Sequence, residues 1–186
     1  FLELGVLFIL YWVNPALTNQ NSLDDLAPLA SLRRLIYLGL TDTDLEEEAL
    51  MPLAIMDALW AIALGRNPGV DLAPLADMDN LMVLINHDSN LTNTDLAAVS
   101  DISSLMTVYL YNNNLASLAA LDNCAAMDEV YVLNNPAFAA VPDFFPDMRV
   151  FQAAGCNIAD ITNLGGLNYV SLIDLTDNVV NDITPL

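Results

Sequence analysis

Residues 105–115, LMTVYLYNNNL, decide how this chain is read. Leu105, Val108, Leu110, Asn113 and Leu115 fit the spacing LxxLxLxxNxL, whose central LxL alternates with period two. Such alternation puts two apolar side chains on one face of a short strand and the residues between them on the other. One match of this kind carries little weight, but the frame returns along the chain. It fits Leu35, Leu38, Leu40, Thr43, Leu45; then Leu59, Ile62, Leu64, Asn67; then Leu81, Leu84, Asn86, Ser89, Leu91. It fits again at Met127, Val130, Val132, Asn135, at Met148, Phe151, Ala153, Cys156, Ile158, and at Val170, Ile173, Leu175, Asn178, Val180. A weaker copy reads Val6, Ile9, Tyr11, Asn14. Starts at 35, 59, 81, 105, 127, 148 and 170 are separated by 24, 22, 24, 22, 21 and 22 residues. A unit this short buries its apolar face only against its neighbours, so the stack is the cooperative structure.

Over nearly its whole length the chain resembles a leucine-rich repeat protein, and it is similar to the 22-residue class of bacterial internalin-like surface proteins. Asp25-Leu26-Ala27-Pro28-Leu29, Asp71-Leu72-Ala73-Pro74-Leu75 and Asp182-Ile183-Thr184-Pro185-Leu186 resemble that class's D-[IL]-x-P-L segment. The resemblance implies an α/β repeat solenoid, a right-handed superhelix with a parallel β-sheet on its concave face and 3-10 or extended return arms on its convex face. Residues 1–34 are expected to form an irregular first repeat or cap, and 35–186 an array of about seven repeats, the last incomplete.

After each strand the chain must bend sharply, leaving backbone groups without sheet partners. The ninth template position reads Asn14, Thr43, Asn67, Ser89, Asn113, Asn135, Cys156 and Asn178. An asparagine amide both donates and accepts, so the family pattern implies a hydrogen-bonded ladder there. Cys156 is a ladder residue in that pattern; a reactive thiol or a bridge to Cys124 is the alternative. In the return arms the three-residue step Leu115, Leu118, Leu121, Cys124, Met127 suits 3-10 turns and extended segments better than an α-helix. Two extra residues in 45–50 and 91–96 predict short capped helices.

The 186 residues carry 24 acidic side chains against four arginines and no lysine, a net charge of -20. No surface can then neutralise a run of phosphates, which excludes nucleic acid and anionic membranes as partners. The ten apolar residues Leu4–Val13 fall short of the roughly 20 that span a bilayer, so no membrane insertion is expected. A secretory hydrophobic region would fit that length, but Glu3 stands where a basic residue belongs. This apolar segment instead suggests self-association, or cover by a further piece of a longer protein.

Function is expected where side chains alternate with the buried leucines. Ile85, His87, Tyr109, Tyr111, Tyr131 and Leu133 fall at adjacent columns of three consecutive strands and predict one aromatic patch. Tyrosines on an exposed sheet face are common binding anchors, so the patch is the candidate ligand site for a protein or peptide. Cross-strand pairing that merely steadies the sheet is the competing role, leaving a structural spacer of a larger surface or secreted protein. His87 is the only histidine, and Asp42, Asp44 and Glu46–Glu48 lack EF-hand spacing, so neither metal nor cofactor is expected. In His87-Asp88-Ser89, strand alternation sends neighbours to opposite faces, which argues against a hydrolytic triad. A non-enzymatic binding module, secreted or on the cell surface, is the reading that the resemblance implies.

Overall fold

Each LxL segment becomes a three-residue strand. The computed structural model describes residues 9–11 (as backbone), 26–143, 145 and 147–185. Within them β1 (Ile9–Tyr11), β2 (Tyr37–Gly39), β3 (Ala61–Ala63), β4 (Val83–Ile85), β5 (Thr107–Tyr109), β6 (Glu129–Tyr131), β7 (Val150–Gln152) and β8 (Leu172–Asp174) form one parallel sheet in chain order. From β2 onward the fourth template position always faces its own equivalent: Leu38, Ile62, Leu84, Val108, Val130, Phe151 and Ile173 make one row. That row from Leu38 to Phe151, the first-position row (Leu35 to Met148) and the sixth-position residues Leu40, Leu64, Leu110 and Val132 pack into one continuous core, with Ile173 partly buried against its end. The chain is an α/β repeat solenoid.

The first coil departs from its expected frame. Leu10, not Ile9, lies opposite Leu38, and Ile9 lies opposite Tyr37. A slip of one residue exchanges the two faces of a strand. Asn14, expected in the ladder column, lies outside the described residues. The sequence LFILYWV is apolar at every position, so alternation could not choose between the two frames.

Return arms are thin. Short 3-10 turns occupy Ala27–Ser31, Met51–Ile55, Ala73–Leu75, Ala97–Val99, Ala119–Leu121 and Thr162–Gly166. Pro28, Pro52 and Pro74 open the first three, where a missing N–H costs nothing. Among the described residues of 135–148 there is no 3-10 turn; Phe138 and Phe145 fill the interior, and Ala140 makes an isolated parallel bridge to Asp160. Of the two expected helices only one forms, α1 (Asn93–Leu96). The Thr92 N–H and hydroxyl both donate to the Asp95 carboxylate, at 2.7 and 2.8 Å, and so fix its first turn. The corresponding positions in the earlier repeat are Glu46 and Ala49, which cannot make that pair, and 46–51 passes through turns instead. Asp71, Asp77, Asp79, Asp101, Asp122, Asp143, Asp147 and Asp160 in these arms are all exposed.

One core position breaks the leucine rule. Asn86 occupies the sixth-position column between Leu64 and Leu110, fully buried, and neither atom of its amide has a hydrogen-bond partner among the described residues. An unpaired buried amide costs roughly 1–3 kcal/mol. Asn86→Leu should therefore raise stability by about that amount. Asn113→Leu, which removes an amide bonded across two coils, should lower it by roughly 2–4 kcal/mol. Urea melts of the two variants against the parent check both signs.

Candidate functional site

The bend after each strand determines how the sheet presents its open face. Seven described residues at the eighth template position all have positive φ: Asp42, Arg66, Asp88, Asn112, Asn134 and Asp177 lie between 54° and 61°, and Gly155 at 68°. Left-handed backbone favours Gly, Asn and Asp, so Arg66 is the costly member of the column. The next residue turns inward. The Asn113 Oδ1 accepts from the Ser89 and Leu91 N–H groups, each at 3.0 Å, while its Nδ2 donates to the Asn86 and Leu110 carbonyls at 2.8 and 3.0 Å. Asn67 bonds in the same way to Thr43, Leu45, Leu40 and Leu64. Asn135 accepts from Leu115 and donates to Leu110 and Val132; Asn178 accepts from Ile158 and donates to Ala153 and Leu175.

The smaller members of the column take part as well. The Thr43 hydroxyl donates to the Leu40 carbonyl, the Ser89 hydroxyl accepts from the Asn67 N–H, and the Cys156 thiol approaches the Val132 carbonyl at 3.3 Å. Cys156 and Cys124 are both free and buried. Burial pushes the Cys124 thiol up to about 11, with Asp101 and Asp122 adding to the effect, and burial also raises Cys156. Neither thiol is activated.

On the open face, Ile85, His87, Tyr109, Tyr111, Tyr131 and Leu133 are all half-buried, and their rings form two stacks. His87 lies on Tyr111 with ring centroids 4.5 Å apart and 6° between planes; Tyr109 lies on Tyr131 at 4.3 Å and 8°. The Tyr131 hydroxyl donates to the Glu129 carboxylate at 3.2 Å. Burial first, then the neighbouring Tyr109 and Glu129, push the Tyr131 phenol up to about 12. Burial and Asp88 likewise raise Tyr111, with Arg66 opposing them. Both phenols stay neutral and act as hydrogen-bonding rings.

Four further residues hold this face, and the leucine spacing did not single them out. A Cβ on Gly65 would lie 2.6–2.8 Å from the His87 ring, so the absence of a side chain there makes room for the imidazole. His87 Nδ1 meets the Asp88 carboxylate at 2.7 Å, Asp88 accepts from the Asn112 amide at 2.9 Å, and Asn112 accepts from Asn134 at 2.8 Å. This chain of bonds runs along the eighth-position column; the recurrence of Asp and Asn there was the available signal. The contact between His87 and Asp88 corrects the expectation from strand alternation. Asp88, three residues past the end of β4, has φ 54°, which turns its carboxylate back toward the ring. Ser89 is buried and donates to the His87 carbonyl, so the three side chains still make no relay. Among the described residues no group of three or more His, Cys, Asp or Glu is placed to hold a metal ion.

No protein-family model matches the sequence, and no curated protein matches it. Solved structures do match. An internalin (inlF) from Listeria monocytogenes superposes with a TM-score of 0.60 at 19% identity, covering 88% of this chain and 60% of that one. Internalin C2 (inlC2) from the same organism gives 0.60 at 19% identity, covering 90% and 73%. The fold is the internalin-like leucine-rich repeat. A plant peptide hormone receptor, RGFR1 in complex with RGF2, matches this leucine-rich repeat chain with a TM-score of 0.58 at 14% identity, covering 87% of it and 32% of the receptor. The present chain spans 60% of the first internalin's length, less than two thirds of it. No helix among the described residues is long and apolar enough to cross a membrane.

Two measurements test this geometry. Gly65→Ala should displace the imidazole from Tyr111, visible as a shift of the single histidine's ring proton resonances, while the melting temperature changes little. Beside the patch, Arg149 binds both oxygens of Asp128, and that hydrogen bonding holds the Asp128 carboxyl below its ordinary range. A depressed carboxyl contributes stability above its unfolded pKa and loses it as pH falls through the folded value. Arg149 is more than half exposed, so Asp128→Asn should cost only about 0.5–1 kcal/mol at neutral pH. That difference should close once acid titration passes about pH 3.9 and continues through the depressed value.

Proposed function

We propose that this leucine-rich repeat chain is a non-enzymatic recognition module, outside the cell or on its surface, whose open sheet face binds a protein or peptide. The observation that carries the reading is the pair of ring stacks, Tyr109 on Tyr131 at the ends of β5 and β6 and His87 on Tyr111 just past the ends of β4 and β5, all half accessible. Rigid aromatic side chains give large contact area at a small entropy cost, and each phenol adds a polar end. Ile85 extends the Tyr109–Tyr131 column on one side and Leu133 extends the His87–Tyr111 column on the other. The similar plant receptor is described in complex with RGF2, which supports a peptide-sized ligand.

Peptides selected from a displayed random library against the parent chain supply the probe. Replacing Tyr109, Tyr111 and Tyr131 together by alanine should weaken their binding by roughly 30-fold or more, since anchors of this kind are each worth about 2 kcal/mol. Circular dichroism should show the sheet intact. Unchanged binding, with a lower melting temperature, would assign the stacks to sheet stability and leave the chain a spacer.

A further inference from the structure

The second template position, just before each strand, reads Ile36, Trp60, Met82, Met106, Asp128, Arg149 and Ser171. Four consecutive coils carry large apolar side chains there; the next three carry polar ones. Trp60 is 47% exposed although nothing in the repeat pattern calls for an indole. A cavity of about 600 Å³ opens beside it, lined by Ile36, Met82 and Ser104 together with Asp79. This edge is distinct from the aromatic face: the second and fifth positions are three residues apart, about 10 Å along a strand.

Backbone at this edge is already used. The Trp60 N–H donates to the Ile36 carbonyl, and the Trp60 carbonyl accepts from Met82 and Val83. An incoming segment therefore finds side chains, not a free strand edge. Those side chains are of two kinds. Methionine is unbranched and adapts its shape to apolar partners, and an indole face attracts a cation within about 6 Å. At the lip, Asp79 is exposed and has no ion pair among the described residues, whereas Asp128, two coils on, is neutralised by Arg149. The uncompensated charge thus lies beside the exposed indole.

We propose that this strand-entry edge is a second docking groove, separate from the aromatic face, for a basic amphipathic peptide segment of a partner protein. One arginine or lysine of that segment lies over the Trp60 indole and pairs with Asp79, while its apolar side chains fill the cavity between Ile36 and Met82. The chain's own charge of -20 favours approach of such a segment and disfavours an acidic one.

The test uses the intact chain carrying Trp12→Phe, which leaves Trp60 as the single fluorescent indole. The probe is a synthetic peptide of leucine and arginine at helical spacing, at about 0.15 M salt so that diffuse attraction is screened. Saturable change in Trp60 emission is expected. Asp79→Lys should weaken binding at least about tenfold, as losing a charged partner at an indole does. Asp122→Lys, the same charge reversal elsewhere on the return arms, should change it less than twofold, and the triple tyrosine variant should bind as the parent does. Equal weakening by Asp79→Lys and Asp122→Lys would overturn the groove in favour of net charge. So would equal binding of a leucine–glutamate peptide, or loss of binding in the tyrosine variant. Sedimentation showing a dimer that Asp79→Lys dissolves would give the groove to a second copy and overturn the proposal equally.

Discussion

Everything in this molecule depends on finishing a bend. A three-residue strand ends, the chain turns inward, and N–H and carbonyl groups from two coils are left facing one another in a dry interior. Asn113 and its equivalents at 67, 135 and 178 close that gap with one amide apiece. Left unmade, such bonds cost more than the net gain of making them, because the groups are already out of water. The residue just before the asparagine must adopt left-handed backbone for the turn to form, which is why Asp, Asn and Gly recur there and Arg66 stands out.

Once the bend repeats faithfully, the open face follows from spacing. Parallel strands lie about 4.7–4.9 Å apart, close to the comfortable separation of stacked rings. Two rings in one column of neighbouring coils therefore meet face to face with little adjustment, and the centroids at 4.3 Å for Tyr109–Tyr131 and 4.5 Å for His87–Tyr111 are what that geometry delivers. The rings owe their order to the asparagines behind them. Small residues complete the arrangement: Gly65 gives His87 a floor, and the Asp88, Asn112 and Asn134 side chains tie the rim of the face together.

The repeat was legible because its period and its inward leucines recur in register from Leu35 onward, and strand pairing follows that register in every described coil but the first. There, LFILYWV offers apolar residues on both faces, so either frame buries a hydrophobic row and the pattern loses its power to choose. Helix α1 was legible at Thr92 and Asp95; the Glu46–Glu48 run had the same length without the reciprocal pair. The aromatic patch was legible as columns, but the His87–Asp88 contact was not. It depends on a backbone reversal at Asp88 that a simple alternation rule leaves out. Asn86 was legible only as an exception, since a polar letter in a leucine column says nothing about whether it finds a partner.

The amide ladder also has an arrow. Asn67 satisfies backbone at Thr43 and Leu45, Asn113 at Ser89 and Leu91, and Asn178 at Ile158; in each case the side chain reaches back to the coil before it. The acceptor oxygen that completes each of these turns thus comes from the coil that follows it. Peeling the stack from its C-terminal side strips the remaining turn's N–H groups of their side-chain acceptor, whereas peeling from the other side takes only backbone carbonyl acceptors from the next turn, whose own N–H groups keep the amide of the coil beyond. The solenoid is asymmetric in resilience even though its coils look alike.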